Sequence, residues 1–146
     1  MRSVTLLACA LILIACSTTQ SGTGAATEVE LTQLVGPAEL NYPRGDIEVK
    51  FGLRISNQSA NAIRLRQIQM TPVGLGGPYR LINRTYFFNE EVRAHSSGDV
   101  SWWARAVAEG NANAVDANAP ISVRAIAVFE SPEGHFRKIV MGTFRQ

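Results

Sequence analysis

Cysteine is almost missing from this chain of 146 residues, and its two copies, Cys9 and Cys16, both sit near the N-terminus. A domain downstream of them has no thiol left for a disulfide or a sulfur-ligated metal. Histidine is as scarce. His95 and His135 show no metal-ligand spacing, so no metal and no other cofactor is expected. No apolar run has bilayer length: the longest, from Val4 to Ile14, falls well short of the about 20 residues that a spanning helix needs. Blocks of like charge are missing too. Fourteen basic residues against twelve acidic ones give a formal charge of +2, which excludes a strongly basic nucleic-acid surface.

Catalytic constellations are equally thin. The sequence Gly74-Leu75-Gly76-Gly77-Pro78 has neither the lysine of a phosphate-binding loop nor a helical pattern after it. Glu90 and Glu91 are neighbours, and neighbours on a strand point to opposite faces. His95-Ser96-Ser97-Gly98-Asp99 collects the residue types of a hydrolase triad, but triad members converge from separate elements, and this stretch reads as a polar turn. The chain is therefore not expected to be an enzyme.

What is present begins at the N-terminus. Arg2 is followed by a short apolar segment that closes in Leu13-Ile14-Ala15-Cys16, the layout of an export signal. These four residues match, position by position, the lipobox of bacterial lipoproteins, and the chain resembles a precursor of that family. The resemblance implies cleavage before Cys16, acylation of its sulfur, and a membrane-held N-terminus. Ser17, standing where inner-membrane lipoproteins of the enteric type carry Asp, implies the outer membrane of a two-membrane bacterium; the periplasmic face is the expected side, with the exterior left open by the sequence. The expected organisation is a signal peptide at 1–15, a lipidated N-terminus and flexible tether at 16–27, and one domain at 28–146. The tether, rich in Ser, Thr and Gly, would hold its ends roughly 17 to 20 Å apart as a coil.

The domain shows period-two alternation and almost no helical period. Ile47, Val49, Phe51, Leu53 and Ile55 alternate with Glu48, Lys50, Gly52, Arg54 and Ser56, which predicts a strand with one buried face. Further strands are predicted near 29–35, 63–70, 79–88, 99–108, 121–130 and 136–144. Ile63 and Leu65 change phase to Ile68 and Met70, so a β-bulge is expected near Arg66-Gln67. Ser131-Pro132-Glu133-Gly134 has the residues of a tight turn and predicts a terminal hairpin. Seven short strands with Gly, Pro and Asn punctuation predict an all-β, antiparallel, immunoglobulin-like β-sandwich. The strand-turn-strand from Val49 to Met70, with the late hairpin at 130–134, is similar to the water-stress and late-embryogenesis-abundant sandwich domains. Those domains tend to have Asn-Pro-Asn where this chain has Asn57-Gln58-Ser59.

Functional candidates are therefore surfaces. Alternation that buries Val100, Trp102, Ala104 and Ala106 turns Trp103 outward beside Arg105, and Tyr86 belongs to a second aromatic cluster, Tyr86-Phe87-Phe88. Lys50, Arg54, Arg64 and Arg66 would form one cationic face across a hairpin, suited to lipid phosphate or an acidic partner. The preferred expectation is a noncatalytic envelope lipoprotein that binds a protein partner or assists assembly. The alternative is a small hydrolase or ligand carrier built on His95, Asp99 or His135, and it requires at least two of them within hydrogen-bond reach.

Overall fold

The strongest alternation in the sequence becomes an interior strand of the fold. In the computed structural model, which describes residues 22–36, 45–74, 79–108 and 121–144, Ile47, Val49, Phe51, Leu53 and Ile55 are all buried. Each such side chain contributes about 1.5–3 kcal/mol when fully withdrawn from water. Around this strand the described residues form β1 (Thr27–Val35), β2 (Gly45–Asn57), β3 (Ile63–Val73), β4 (Tyr79–Leu81), β5 (Arg84–Val92), β6 (Ser96–Ala108), β7 (Ile121–Ser131) and β8 (Gly134–Phe144). The signal segment, Cys16 and most of the expected tether lie outside the described residues, as do residues 109–120.

Two antiparallel sheets, ordered β1-β2-β6-β4 and β5-β3-β7-β8, face each other as a β-sandwich. The order places β1, β2 and β6 opposite β3, β7 and β8, as strands A, B and E oppose C, F and G in immunoglobulin-like domains. Small side chains on one interior strand of each sheet, Ala104 and Ala106 of β6 and Ala125 and Ala127 of β7, are fully buried. They leave room for Phe51, Trp102 and Phe129, an alternation of small and large that lets facing layers interlock.

The bulge falls where the phase change predicts it. Leu65 pairs with Phe129 and Gln67 with the adjacent Val128, so Arg66 is the extra residue, and Leu65, Ile68 and Met70 all reach the core. The hairpin also forms: β7 and β8 pair through to Ser131 opposite Gly134, whose φ of 118° is one that glycine adopts without strain.

One expected strand is two. The segment 79–88 breaks at Ile82-Asn83 into β4, paired with β6, and β5, paired with β3 in the other sheet. The cause is a phase change: Tyr79 and Leu81 are buried at odd positions, Tyr86 and Phe88 face inward at even ones, and the chain crosses between sheets where the parity switches. The last residues of the expected tether are ordered. Gly22–Ala26 forms a turn, with Ala25 N donating to Gly22 O and the buried Thr27 hydroxyl donating to Thr23 O.

A single buried side chain ties the sheet crossings at one end. Asn57, with no exposed surface, closes β2, and its Nδ2 lies within hydrogen-bond distance of Asn61 O (2.8 Å), Val92 O (3.2 Å) and Arg93 O (2.9 Å). Its Oδ1 accepts from the backbone N–H and the hydroxyl of Ser59. One amide thus fastens the β2–β3 crossing to the β5–β6 crossing. His95, at φ 52°, turns its N–H to Ser59 O within the same clasp.

Glu133 extends this end to the hairpin and the N-terminal turn. Its carboxylate accepts from Thr23 N and from Asn61 Nδ2, both at 3.1 Å. These donors, Thr23 N–H foremost, hold its pKa below the ordinary glutamate value. A lowered folded pKa contributes stability that is complete above the ordinary value and is lost as pH falls through the lowered one.

Two outcomes follow from the clasp. Asn57→Ala should cost about 2 to 4 kcal/mol in urea unfolding by stranding several buried groups, whereas exposed Gln58→Ala should stay within about 0.5 kcal/mol. Hydrogen exchange at the Thr23 amide should accelerate as pH falls below the ordinary carboxylate range after correction for intrinsic rates. Glu133→Gln should weaken that pH dependence.

Candidate binding surface

Strand β6 sorts its two tryptophans by alternation. Trp102 faces inward beside Phe51 (6.2 Å between ring centres), Tyr86 (6.0 Å) and Phe88 (5.8 Å). Its indole Nε1 is buried without a hydrogen-bond partner. Trp102 is thus core, not contact surface. Trp103 faces out and is 46% exposed. Lys50 of β2, its register partner, places Nζ 5.7 Å from the Trp103 ring centre, a cation–π contact that holds the indole against the sheet.

One pleat repeat along the same face is Gly52, opposite Ser101. Its missing side chain lets Thr32 and Leu34 of β1 fold down: a Cβ there would meet Thr32 Oγ1 at 3.0 Å and Leu34 Cδ1 at 3.2 Å. The result is an open depression of ≈ 480 Å³ floored by Gly52 and bordered by Glu30, Leu34, Arg54, Asp99 and Ser101. Leu34 is exposed on its rim. Arg54 approaches Asp99 at 3.9 Å on its border, and on the other side of Trp103 Arg105 pairs with Asp46 at 2.9 Å, exposed pairs of a kind worth at most about 1 kcal/mol. The face therefore offers a fixed indole, an apolar rim and charges at little cost to release, a composition suited to a protein contact.

Two expected groupings are corrected. Tyr86, expected as a contact residue of the second aromatic cluster, packs inward on Trp102 instead, and burial raises its hydroxyl pKa. Phe87 is the exposed member of that aromatic run. Lys50 and Arg54 do not share a face with Arg64 and Arg66, because the β2–β3 connection crosses between sheets instead of forming a hairpin. Arg64 and Arg66 sit on the opposite side, where Arg64 meets Glu91 at 2.7 Å and Arg66 meets Glu130 at 3.3 Å.

The residues of the hydrolase alternative are not assembled. His95 occupies the β5–β6 corner, Asp99 lies on the outer face beside Arg54, and His135 pairs in register with Glu130 in the terminal hairpin. No hydrogen bond joins any two of them, and among the described residues no group of three His, Cys, Asp or Glu is placed to hold a metal ion.

A surface missing from the sequence reading lies on the second sheet. Ile139 (66% exposed) and Met141 (54%) project outward from edge strand β8, with half-buried Ile126 and Val128 beside them on β7. The signal was visible: Ala125-Ile126-Ala127-Val128-Phe129 and Ile139-Val140-Met141 are unbroken apolar runs, which place apolar side chains on both faces of a strand.

No family model matches the chain, and no curated protein matches it. Among solved structures, target SoR45 of the Northeast Structural Genomics Consortium is similar over 85% of this chain and 88% of its own, with a TM-score of 0.53 and 11% identity. A Bordetella pertussis protein provisionally assigned as ApaA is similar over 81% and 89%, with a TM-score of 0.45 and 8% identity.

The inward and outward tryptophans should separate in a stability measurement. Trp102→Ala should cost about 3–5 kcal/mol in denaturant unfolding, and Trp103→Ala should stay within about 0.5 kcal/mol. The resemblance to SoR45 is one of fold, and it identifies this domain as an all-β sandwich of two antiparallel sheets.

Proposed function

We propose that the chain is a noncatalytic lipoprotein of the bacterial envelope, held by acylated Cys16 on the periplasmic face of the outer membrane, whose sandwich binds a protein partner. The observation that carries the binding role is Trp103. It interrupts the outward row Ser97, Asp99, Ser101, Arg105 of β6 with a large half-exposed indole, fixed by Lys50 beside the Gly52 depression. A large indole held in place before binding anchors an interface at low entropic cost, and exposed Leu34 adds apolar area on the rim of the depression. The anchor rests on Leu13-Ile14-Ala15-Cys16, with Gly22 six positions after the cysteine.

The test has two independent parts. Wild-type protein should carry acyl mass at Cys16 and fractionate with membranes, and Cys16→Ala should lose the acyl mass. Crosslinking in intact envelopes should then trap a protein with wild type, and Trp103→Ala should lose that adduct while remaining folded and anchored. An unmodified, soluble wild type would refute the anchor. An adduct unchanged by Trp103→Ala would refute the surface.

A further inference from the structure

The outer face of the β5-β3-β7-β8 sheet breaks the usual rule of polar residues outward at its last two strands. Ile139 lies directly opposite Ile126, and Met141 follows on the same face, so the apolar strip runs to the edge of the sheet. β8 hydrogen-bonds to β7 alone among the described strands. Arg124 stands opposite Met141, and Arg137 opposite Val128. Four other arginines of the surface are taken up by acids: Arg54 by Asp99, Arg64 by Glu91, Arg66 by Glu130 and Arg105 by Asp46. Arg124 and Arg137 make no ion pair among the described residues. β8 itself contains no Asp or Glu.

Apolar side chains bordered by unpaired guanidinium groups suit the boundary between phospholipid headgroups and acyl chains: the former enter the boundary and the latter meet phosphate. The chain's own path points to the same neighbour. Gly22, Thr23, Gly24 and Ala25 line one groove with Glu133, Phe136 and Arg137 of the terminal hairpin. Six residues from Cys16 to Gly22 reach at most about 20 Å, so an acyl anchor at Cys16 keeps this hairpin close to the bilayer.

We propose that the outer face of β7 and β8 docks on the anionic phospholipid surface that holds the chain. Ile139 and Met141 insert into the headgroup boundary, and Arg124 and Arg137 pair with lipid phosphates. This rests on the lipid-anchor reading above and deepens it. The two outer faces of a sandwich point away from each other, so docking turns Trp103 and the Gly52 depression away from the membrane, toward a partner.

The test uses the mature chain isolated from its envelope, with acylation scored by intact mass. It is placed in phosphatidylethanolamine vesicles containing a minority of phosphatidylglycerol. A fluorescent unnatural amino acid replaces Met141 or, as the opposite-face reference, Ser101, and brominated lipid serves as quencher. Strong quenching at 141 with little at 101 is the expected result. Arg124→Gln and Arg137→Gln should each lower the docked-to-undocked ratio about fivefold, with acyl mass unchanged. Equal quenching at the two positions, or none, would overturn the proposal. So would quenching at 141 that is unaffected by both substitutions, or a position 141 buried against a second copy or another protein. If intact mass shows no acyl chain, the anchor reading fails separately. The same vesicles are then added to the soluble chain, where quenching at 141 sustains the docking face and its absence refutes it.

Discussion

The fold depends at one end on the Asn57 amide. A sandwich needs its chain to leave one sheet and enter the other, and each crossing removes backbone groups from the ladders that would satisfy them. Here the β2–β3 and β5–β6 crossings lie side by side, and one buried side chain serves both, donating to carbonyls at Asn61, Val92 and Arg93 while accepting from Ser59. Asparagine carries two donor hydrogens and an acceptor oxygen on one short arm, whereas an ionised acid has no donor and a hydroxyl has one. Glu133 then joins the terminal hairpin to Asn61 and to Thr23, so the start of the described chain and the turn of its last hairpin are gathered at the same place. This position is where the described chain begins.

Much of this was legible from residue patterns. Alternation in residues 47–55 located an interior strand, the phase change at Arg66 located the bulge, and the parity of β6 sorted Trp102 from Trp103. What was not legible depended on which sheet a strand joins. A strand and its sheet partner are separated by long sequence distances, so nothing local marks 79–81 and 84–92 as members of different sheets, or Lys50 and Arg64 as belonging to opposite faces. Asn57 read as turn punctuation because its three carbonyl partners come from two separate corners. The apolar strip on β7 and β8 was written plainly in two runs, but a run alone does not say which of its faces is covered.

The molecule that results has two unlike sides. One outer face is mixed and mostly paired, with a fixed indole and a glycine-floored depression; the other ends in an apolar edge with unpaired arginines. An exposed edge strand invites pairing with other chains unless something covers or charges it. The proposed membrane contact would cover the side of β8 that its basic residues alone do not protect. On that account the anchor and the sheet face act together: the lipid fixes distance, the β7–β8 face fixes orientation, and Trp103 is presented outward.

The central claim is this division of labour between the two faces, and photo-crosslinking in the native envelope tests it most directly. A photoreactive residue would be placed at position 103 in one strain and at 141 in another, and the mass of each adduct determined. The account predicts a protein adduct at 103 and phospholipid adducts at 141. Protein adducts at 141 together with lipid or no adduct at 103 would contradict it.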